Sequence, residues 1–427
     1  MSNKFRCNEA VEMLRQAQQE YSLFNAYLDE FFGELVLYWL YCFMWAILIG
    51  LSNGRFSSRW LPRLGLTVLL AGSGRPAAGY SALAHQAVID SCWARGLVPV
   101  LQRRYPGATP AQLREARAYA YGGAVLQDLG YFPGNAPLFS DLTHYVRTGD
   151  FVRALLDEAH DRNELAFALG ALAHYVADAM GHPAGANAVT GAVFPELQRP
   201  AGAAIHYAEA PRQHTQVEFA FDVAQVAAGR YYSAELHAAI GLRLCQSALE
   251  RAFRRTYGLP LQQVLPHPAA GLALFHFVTA ELLLAAVRAS QHLPPRQVRG
   301  LPVAEQRQYF SRLNTARFQR RGRPLNHLST GMRLLVVLTP TLPRLGLVPL
   351  LGFRPLPHTA EAVMRASLDE SVSCYLATLT HLDAALPNVN LDTGEPTRAT
   401  DYPLADRTYA AWVRHLARRA ALELAGR

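Results

Sequence analysis

Nine consecutive residues, His174–Tyr175–Val176–Ala177–Asp178–Ala179–Met180–Gly181–His182, place an imidazole, a carboxylate and a second imidazole four residues apart. On a helix that spacing lines all three up along one ridge. Their neighbours on the ridge are Ala, Val and Met rather than other charges, so the triplet is expected to face inward. Buried imidazoles and carboxylates need partners, and zinc is the commonest single partner for this mix. A hydrogen-bonded core feature is the competing reading of the triplet taken alone.

Other residues of the same chemistry lie nearby. His214 and Glu218 repeat the four-residue spacing on an apolar segment running through Phe219, Phe221 and Val223. His85 falls in Ser81–Ile89, a short amphipathic helix start with Ser81 as its N-cap. Asp128 is expected to close a helix that opens at Thr109–Pro110, a capping residue followed by a first-turn proline, and that stops at Gly130. His144 follows in Phe139–Tyr145. Each of these alone reads more simply as a structural or solvated residue. Together they form a set of His, Asp and Glu within one region, which is how multi-metal hydrolase sites are built.

The region from Tyr80 to about Gly258 resembles the bacterial zinc-dependent phospholipase C family, which shares an all-helical trinuclear zinc fold with secreted single-strand-specific nucleases. The resemblance implies three zinc ions. One would take Asp128, His144, His174 and Asp178. A second would take His182, His214 and Glu218. A third would take the amino and carbonyl groups of a mature N-terminal Tyr80 together with His85, with Asp178 bridging. Three departures stand out: Tyr80 replaces the family's usual Trp, the loop from His182 to His214 is longer, and Leu129 follows Asp128 where choline-preferring lipases carry an aromatic. The last argues against a choline pocket and a phosphatidylcholine preference.

These residues must be held by helices. At 427 residues the chain can bury a sizeable core, and 51% hydrophobic with 17% charged residues suits a compact fold. Ala, Leu and Arg dominate and few β-branched runs show strand spacing, so the fold class is expected to be all-α; the resemblance implies a compact helical zinc-hydrolase fold, followed by a C-terminal helical extension. Net charge is +8, and Lys4 is the sole lysine. The arginines are scattered rather than striped, which argues against a nucleic-acid track, while a basic surface favours anionic lipid or polyphosphate. None of Cys7, Cys42, Cys92, Cys245 and Cys374 forms a Cys-x-x-Cys pair, so a thiolate zinc site is not expected.

Four segments follow. Residues 1–50 form an extension in which Phe31–Leu51 is apolar except for Glu34 and long enough to span a bilayer. Residues 51–79 read as a signal peptide: Arg55, Arg59 and Arg63, an apolar Leu64–Ala71, then Ala77–Ala78–Gly79. Residues 80–258 carry the metal set, and 259–427 continue as helices. Within them Met332–Phe353 is apolar but broken by Pro340, Pro343 and Pro349, which disfavours a spanning helix. Asn388–Gly394 reads as a turn-rich loop. An exported protein, periplasmic or secreted, is expected; residues 1–50 read either as an extension before a true start near residue 51 or, together with 51–79, as a membrane hairpin that anchors the chain.

The expected chemistry is phosphoester hydrolysis by a zinc-activated water, with Asp128 orienting or deprotonating the nucleophile and Arg147 one candidate for neutralising phosphate. The family resemblance makes a glycerophospholipid the leading substrate, met at a membrane surface. A nuclease is the nearest alternative, with Tyr131, Phe132 and Tyr145 as base-stacking candidates. A His-Asp phosphohydrolase built on His160–Asp161 and a membrane-associated protein with structural zinc are the others.

Overall fold

The computed structural model describes residues 82–132, 135–197, 204–228, 241–277, 354 and 356–425. The expectations for the apolar stretch Phe31–Leu51, the signal-like segment 51–79, Tyr80 and Met332–Phe353 fall outside these residues. Among the described residues every regular element is a helix, and none is long and apolar enough to cross a membrane. The all-α expectation holds.

The organising element is α6, Arg162–Gly181, which we number after α1 (Ala82–Cys92), α2 (Val98–Arg104), α3 (Pro110–Ala124), α4 (Pro137–Tyr145) and α5 (Thr148–Asp157). Its start is fixed by Asp161, whose carboxylate accepts the backbone N–H groups of Asn163 and Glu164. From Ala166 to Asp178 every residue of α6 is buried. A helix buried on all sides sits at the centre of a helical protein rather than on its surface.

Helix α3 lies along α6 in close approach. A Cβ on Gly123 would fall 2.0 Å from the Phe167 carbonyl oxygen, and one on Gly170 would fall 2.1 Å from that of Ala120. Only glycine lets the two backbones meet at this distance. Helix α3 begins as its sequence predicts, with Thr109 and Gln112 forming a reciprocal capping box and Pro110 in the first turn. It ends earlier than predicted, at Ala124. Asp128 sits instead in a separate single 3-10 turn, Gln127–Tyr131. That turn is pinned from outside, because the Gln127 carboxamide donates to the Ala171 carbonyl at 3.0 Å.

After α6 a π turn, His182–Ala186, leads into α7 (Asn187–Val193), followed by α8 (Pro211–Ala228) and α9 (Gln246–Tyr257). Gly258 closes α9 with φ +68°, the left-handed end its sequence suggests. Beyond α10 (Pro268–Phe277), the long helices α11 (His358–Thr380) and α12 (Pro403–Ala425) complete the described residues. Helix α11 packs on α6, and its Met364, Leu368, Tyr375 and Leu379 are buried in the same core as α1 and α6. The Tyr375 hydroxyl donates to the Leu169 carbonyl at 2.8 Å. The segment expected as an extension thus contributes to one common core.

Candidate metal centre

Eight of the nine residues singled out as metal ligands are described, and all eight are buried: His85, Asp128, His144, His174, Asp178, His182, His214 and Glu218. They come from five places, α1, the 3-10 turn, α4, the C-terminal half of α6 with its π turn, and α8. The two i,i+4 arrays lie on α6 and α8 as their spacing requires.

Four donor atoms converge on one point. His174 Nε2 is 3.1 Å from Asp178 Oδ2 and 3.3 Å from His144 Nε2. His144 Nε2 is in turn 3.3 Å from Asp178 Oδ2 and 3.6 Å from Asp128 Oδ1. Ligands about 2.0–2.1 Å from a tetrahedral zinc stand roughly 3.3 Å from each other, so the spacing fits that ion. The opposite ring nitrogens are committed elsewhere. His144 Nδ1 donates to the Ser140 carbonyl at 2.7 Å, and His174 Nδ1 to the Ala124 carbonyl at 2.9 Å. Each bond turns Nε2 toward the centre as the nitrogen a metal would take in place of a proton, the arrangement that orients metal-binding histidines. The early end of α3 has a use here, for a last-turn carbonyl has no partner within its own helix.

Asp178 joins this group to the rest. Its Oδ2 faces His144 and His174, while its Oδ1 lies 3.4 Å from His85 Nε2 and 3.5 Å from His182 Nε2. Neither oxygen makes a hydrogen bond, although the side chain is wholly buried. A buried carboxylate with two orphan oxygens, each aimed at imidazole nitrogens, has the form of a bridging ligand. Glu218 Oε1 is 3.1 Å from His214 Nδ1 and 3.9 Å from His182 Nε2. The His182 and His214 rings stack with centroids 5.0 Å apart.

The electrostatics of the metal-free cluster follow from burial and mutual charge. Burial pushes the Asp128 carboxyl up to about 7. Burial would do the same to Asp178, but the imidazoles of His174, His182 and His85 outweigh it and hold that carboxyl well below its ordinary value. Burial alone would lower His174, yet Asp178 and Asp128 raise it to about 9. Burial raises Glu218 and lowers His85.

Two residues of this region were not anticipated from sequence. Asp392, in the Asn388–Gly394 loop, is buried with Oδ1 3.1 Å from His182 Nδ1 and 3.8 Å from His214 Nε2. Asn187, the first residue of α7, accepts from His214 Nε2 through Oδ1 at 2.7 Å and donates to the Asp392 carbonyl at 2.6 Å. In sequence, Asp392 has the surroundings of an ordinary solvated turn aspartate, and only the packing of the loop reveals otherwise.

Other candidates serve different ends. His160 and Asp161 are exposed at the start of α6, where Asp161 is the N-cap and the His160 N–H donates to Glu164. Arg147 bonds to Asp150 at 2.9 Å and to the Thr256 carbonyl, a structural use of its guanidinium. Phe132 packs edge-on against Phe275. Tyr131 and Tyr145 do lie beside His144, with ring centroids 5.9 and 6.0 Å away.

Residues 84–264 match the family model of zinc-dependent phospholipase C. Over that segment, less than half of the chain, the protein is similar to zinc-dependent phospholipase C. The segment contains all eight described ligand candidates and stops well short of Asp392. No curated protein and no solved structure matches the chain. The match supports zinc-dependent, phospholipase C-like hydrolysis, in keeping with the His and Asp groups found here.

Proposed function

We propose that the protein hydrolyses the phosphodiester of glycerophospholipids at a zinc centre held by Asp128, His144, His174 and Asp178, with further zinc at His182, His214 and Glu218 and at His85. The observation that carries this is the convergence of Asp128 Oδ1, His144 Nε2, His174 Nε2 and Asp178 Oδ2 at zinc-like spacing. Zinc at such a site supplies an activated water and a Lewis acid for the phosphoryl oxygens. The chain's own part is to orient and to move a proton. Asp178 fixes neighbouring positions relative to each other through its two oxygens. Asp128 Oδ1 would face the ion, which leaves Oδ2 of the same carboxylate to accept a proton from an attacking water. Its position next to His144 makes it our candidate catalytic base.

Export belongs to the same reading. Cleavage after Gly79 would give Tyr80 a free amino group, which is a nitrogen ligand where an amide is not, so the third zinc would be acquired only by the mature protein. The basic charge of the chain fits a substrate presented at an anionic membrane surface.

The test is a side-by-side assay of purified protein on phospholipid vesicles, single-stranded DNA and a chromogenic phosphodiester, before and after chelation. Zinc-dependent release of diacylglycerol is the expected result. Turnover of DNA alone would move the protein to the nuclease class, and activity that survives complete zinc removal would end the proposal.

A further inference from the structure

Beyond the matched segment, the loop after α11 brings one more carboxylate up behind the ligand candidates. It is fastened there by several bonds. The Tyr175 hydroxyl donates to the Pro387 carbonyl at 2.7 Å. The Thr148 hydroxyl donates to the Val389 carbonyl at 2.7 Å and accepts the Val389 N–H at 3.1 Å. The Leu391 N–H donates to the carbonyl of His144, itself a ligand candidate, at 2.9 Å. Gly394 turns the chain back with φ +72°, and a Cβ there would lie 2.5 Å from the Ala179 carbonyl oxygen. This loop is built against α6 and α4 rather than laid over them.

Asp392, buried in that loop, uses its two oxygens differently. Oδ2 accepts the Tyr402 hydroxyl at 2.6 Å and the Tyr207 N–H at 3.0 Å. These two donors fix the carboxylate plane. Oδ1 is turned the other way and lies 3.1 Å from His182 Nδ1, within donor–acceptor range. The opposite nitrogen of that ring, Nε2, points to Asp178 Oδ1 and Glu218 Oε1. His214 is held with the reverse edge outward. It donates from Nε2 to Asn187 Oδ1 at 2.7 Å, which turns Nδ1 toward Glu218. The Asn187 amide is itself oriented by Asp392, because its NH2 donates to the Asp392 carbonyl at 2.6 Å. His144, His174 and His214 each meet an uncharged acceptor on the outer edge, from Ser140, Ala124 and Asn187. His182 meets a carboxylate, and such a partner fixes ring orientation and raises ligand basicity.

We propose that Asp392 is a positioning residue of the metal centre, accepting a hydrogen bond from the Nδ1 proton of His182 and so committing Nε2 to the ion. Asp392 stays outside the ligand set, which remains His182, His214 and Glu218. A neutral imidazole carries one proton, and the ring nitrogen that bears it cannot ligate. The carboxylate at Nδ1 decides between the two forms. The family-matched segment then depends on the C-terminal part of the chain for the outer partner of one of its own ligands. This inference rests on the zinc-centred reading above.

The experiment compares full-length wild type with Asp392→Asn, each with its helical content checked by circular dichroism. Zinc stoichiometry and affinity are measured by competition with a chromogenic chelator. The Tyr207 N–H requires an oxygen, so in Asp392→Asn the amide oxygen takes the place of Oδ2 and the NH2 faces His182 Nδ1. That donor favours a proton on Nε2, where it competes with zinc. One ion should then bind about 10–100-fold more weakly, while the others remain. Nuclear magnetic resonance of zinc-loaded protein with isotope-labelled histidine nitrogens reads the proton itself, with His182 assigned by its absence in His182→Gln. Wild type should show a downfield Nδ1 proton on His182, and in Asp392→Asn this signal should move upfield. Retention of every ion at wild-type affinity in Asp392→Asn would overturn the proposal. So would a wild-type His182 that binds the ion through Nδ1 or lacks the downfield proton, a result independent of whether the variant folds. A wild type that binds no zinc would remove the zinc-centred reading and this inference with it.

Discussion

Asp178 has the most exacting environment of any residue here, since three imidazoles hold its buried carboxyl ionised and both oxygens face nitrogen donors. Asp178→Asn keeps the shape and removes the bridging charge. We expect zinc affinity to fall by more than the roughly 10–100-fold that outer-partner losses cost, with hydrolysis abolished, as read by metal analysis after dialysis and by assay. A variant that keeps its zinc and its activity would refute the bridging role. The same residues set a pH dependence. In the metal-free protein His174 titrates at about 9 and Asp128 at about 7, so at neutrality the first carries a proton and the second is partly protonated. Zinc binds the deprotonated forms and must displace these protons. Affinity should therefore rise with pH through 7 toward 9, and calorimetry in buffers of different ionisation enthalpy should show proton release. Binding that tightens as pH falls would contradict the assignment. The sequence displayed His174, Asp178 and His182 because a fixed spacing on one helix is a local property. It did not display Asp392, whose role depends on contacts more than 170 positions away in the chain, with His214 and His182.

At the scale of elements, starts were legible and stops were not. Thr109–Pro110 announces α3 through chemistry contained in four residues, and Gly258 announces the end of α9 through its left-handed backbone. The end of α3 is decided instead by α6, through the close approach at Gly123 and the anchoring of Gln127 on Ala171. Those contacts separate Asp128 from the helix it was expected to close. They also make a prediction about packing. Gly170→Ala sets a methyl 2.1 Å from a backbone oxygen that has no rotamer to escape into. Destabilisation of at least about 1–3 kcal/mol is expected, measured by denaturant unfolding of zinc-saturated protein, and an unchanged midpoint would show that the helices can separate freely. The His160–Asp161 pair provides the contrast. Asp161→Ala should cost about 1 kcal/mol as a lost N-cap and leave specific activity intact, and His160→Ala should be silent in both. Loss of turnover in His160→Ala with zinc retained would revive the His-Asp alternative.

For the molecule as a whole, the candidate metal centre would double as a point of assembly. Its candidate donors come from α1, the 3-10 turn, α4, α6 with its π turn, and α8, so one cluster joins five parts of the chain. Without metal, Asp128, Asp178, Glu218 and Asp392 are buried with at least one oxygen lacking a hydrogen bond. Such oxygens face imidazole nitrogens at 3.1–3.6 Å in place of water, a close packing of ionisable groups that a cation would stabilise further. Metal binding to the native state alone stabilises it by mass action, by about 2.7 kcal/mol for one ion present at 100 times its dissociation constant, and several ions add further terms. Chelation should accordingly lower the midpoint of thermal unfolding by several degrees, and the loss should fall on α1, α4 and α8 together because their candidate ligands meet in one cluster. The donor set is rich in nitrogen, which zinc accepts and magnesium avoids. Zinc added back to chelated protein should therefore restore the midpoint, and magnesium at the same concentration should not. Thermal unfolding that ignores the chelator, or that magnesium rescues as well as zinc, would mean that these imidazoles and carboxylates are held by one another rather than by the ion they surround.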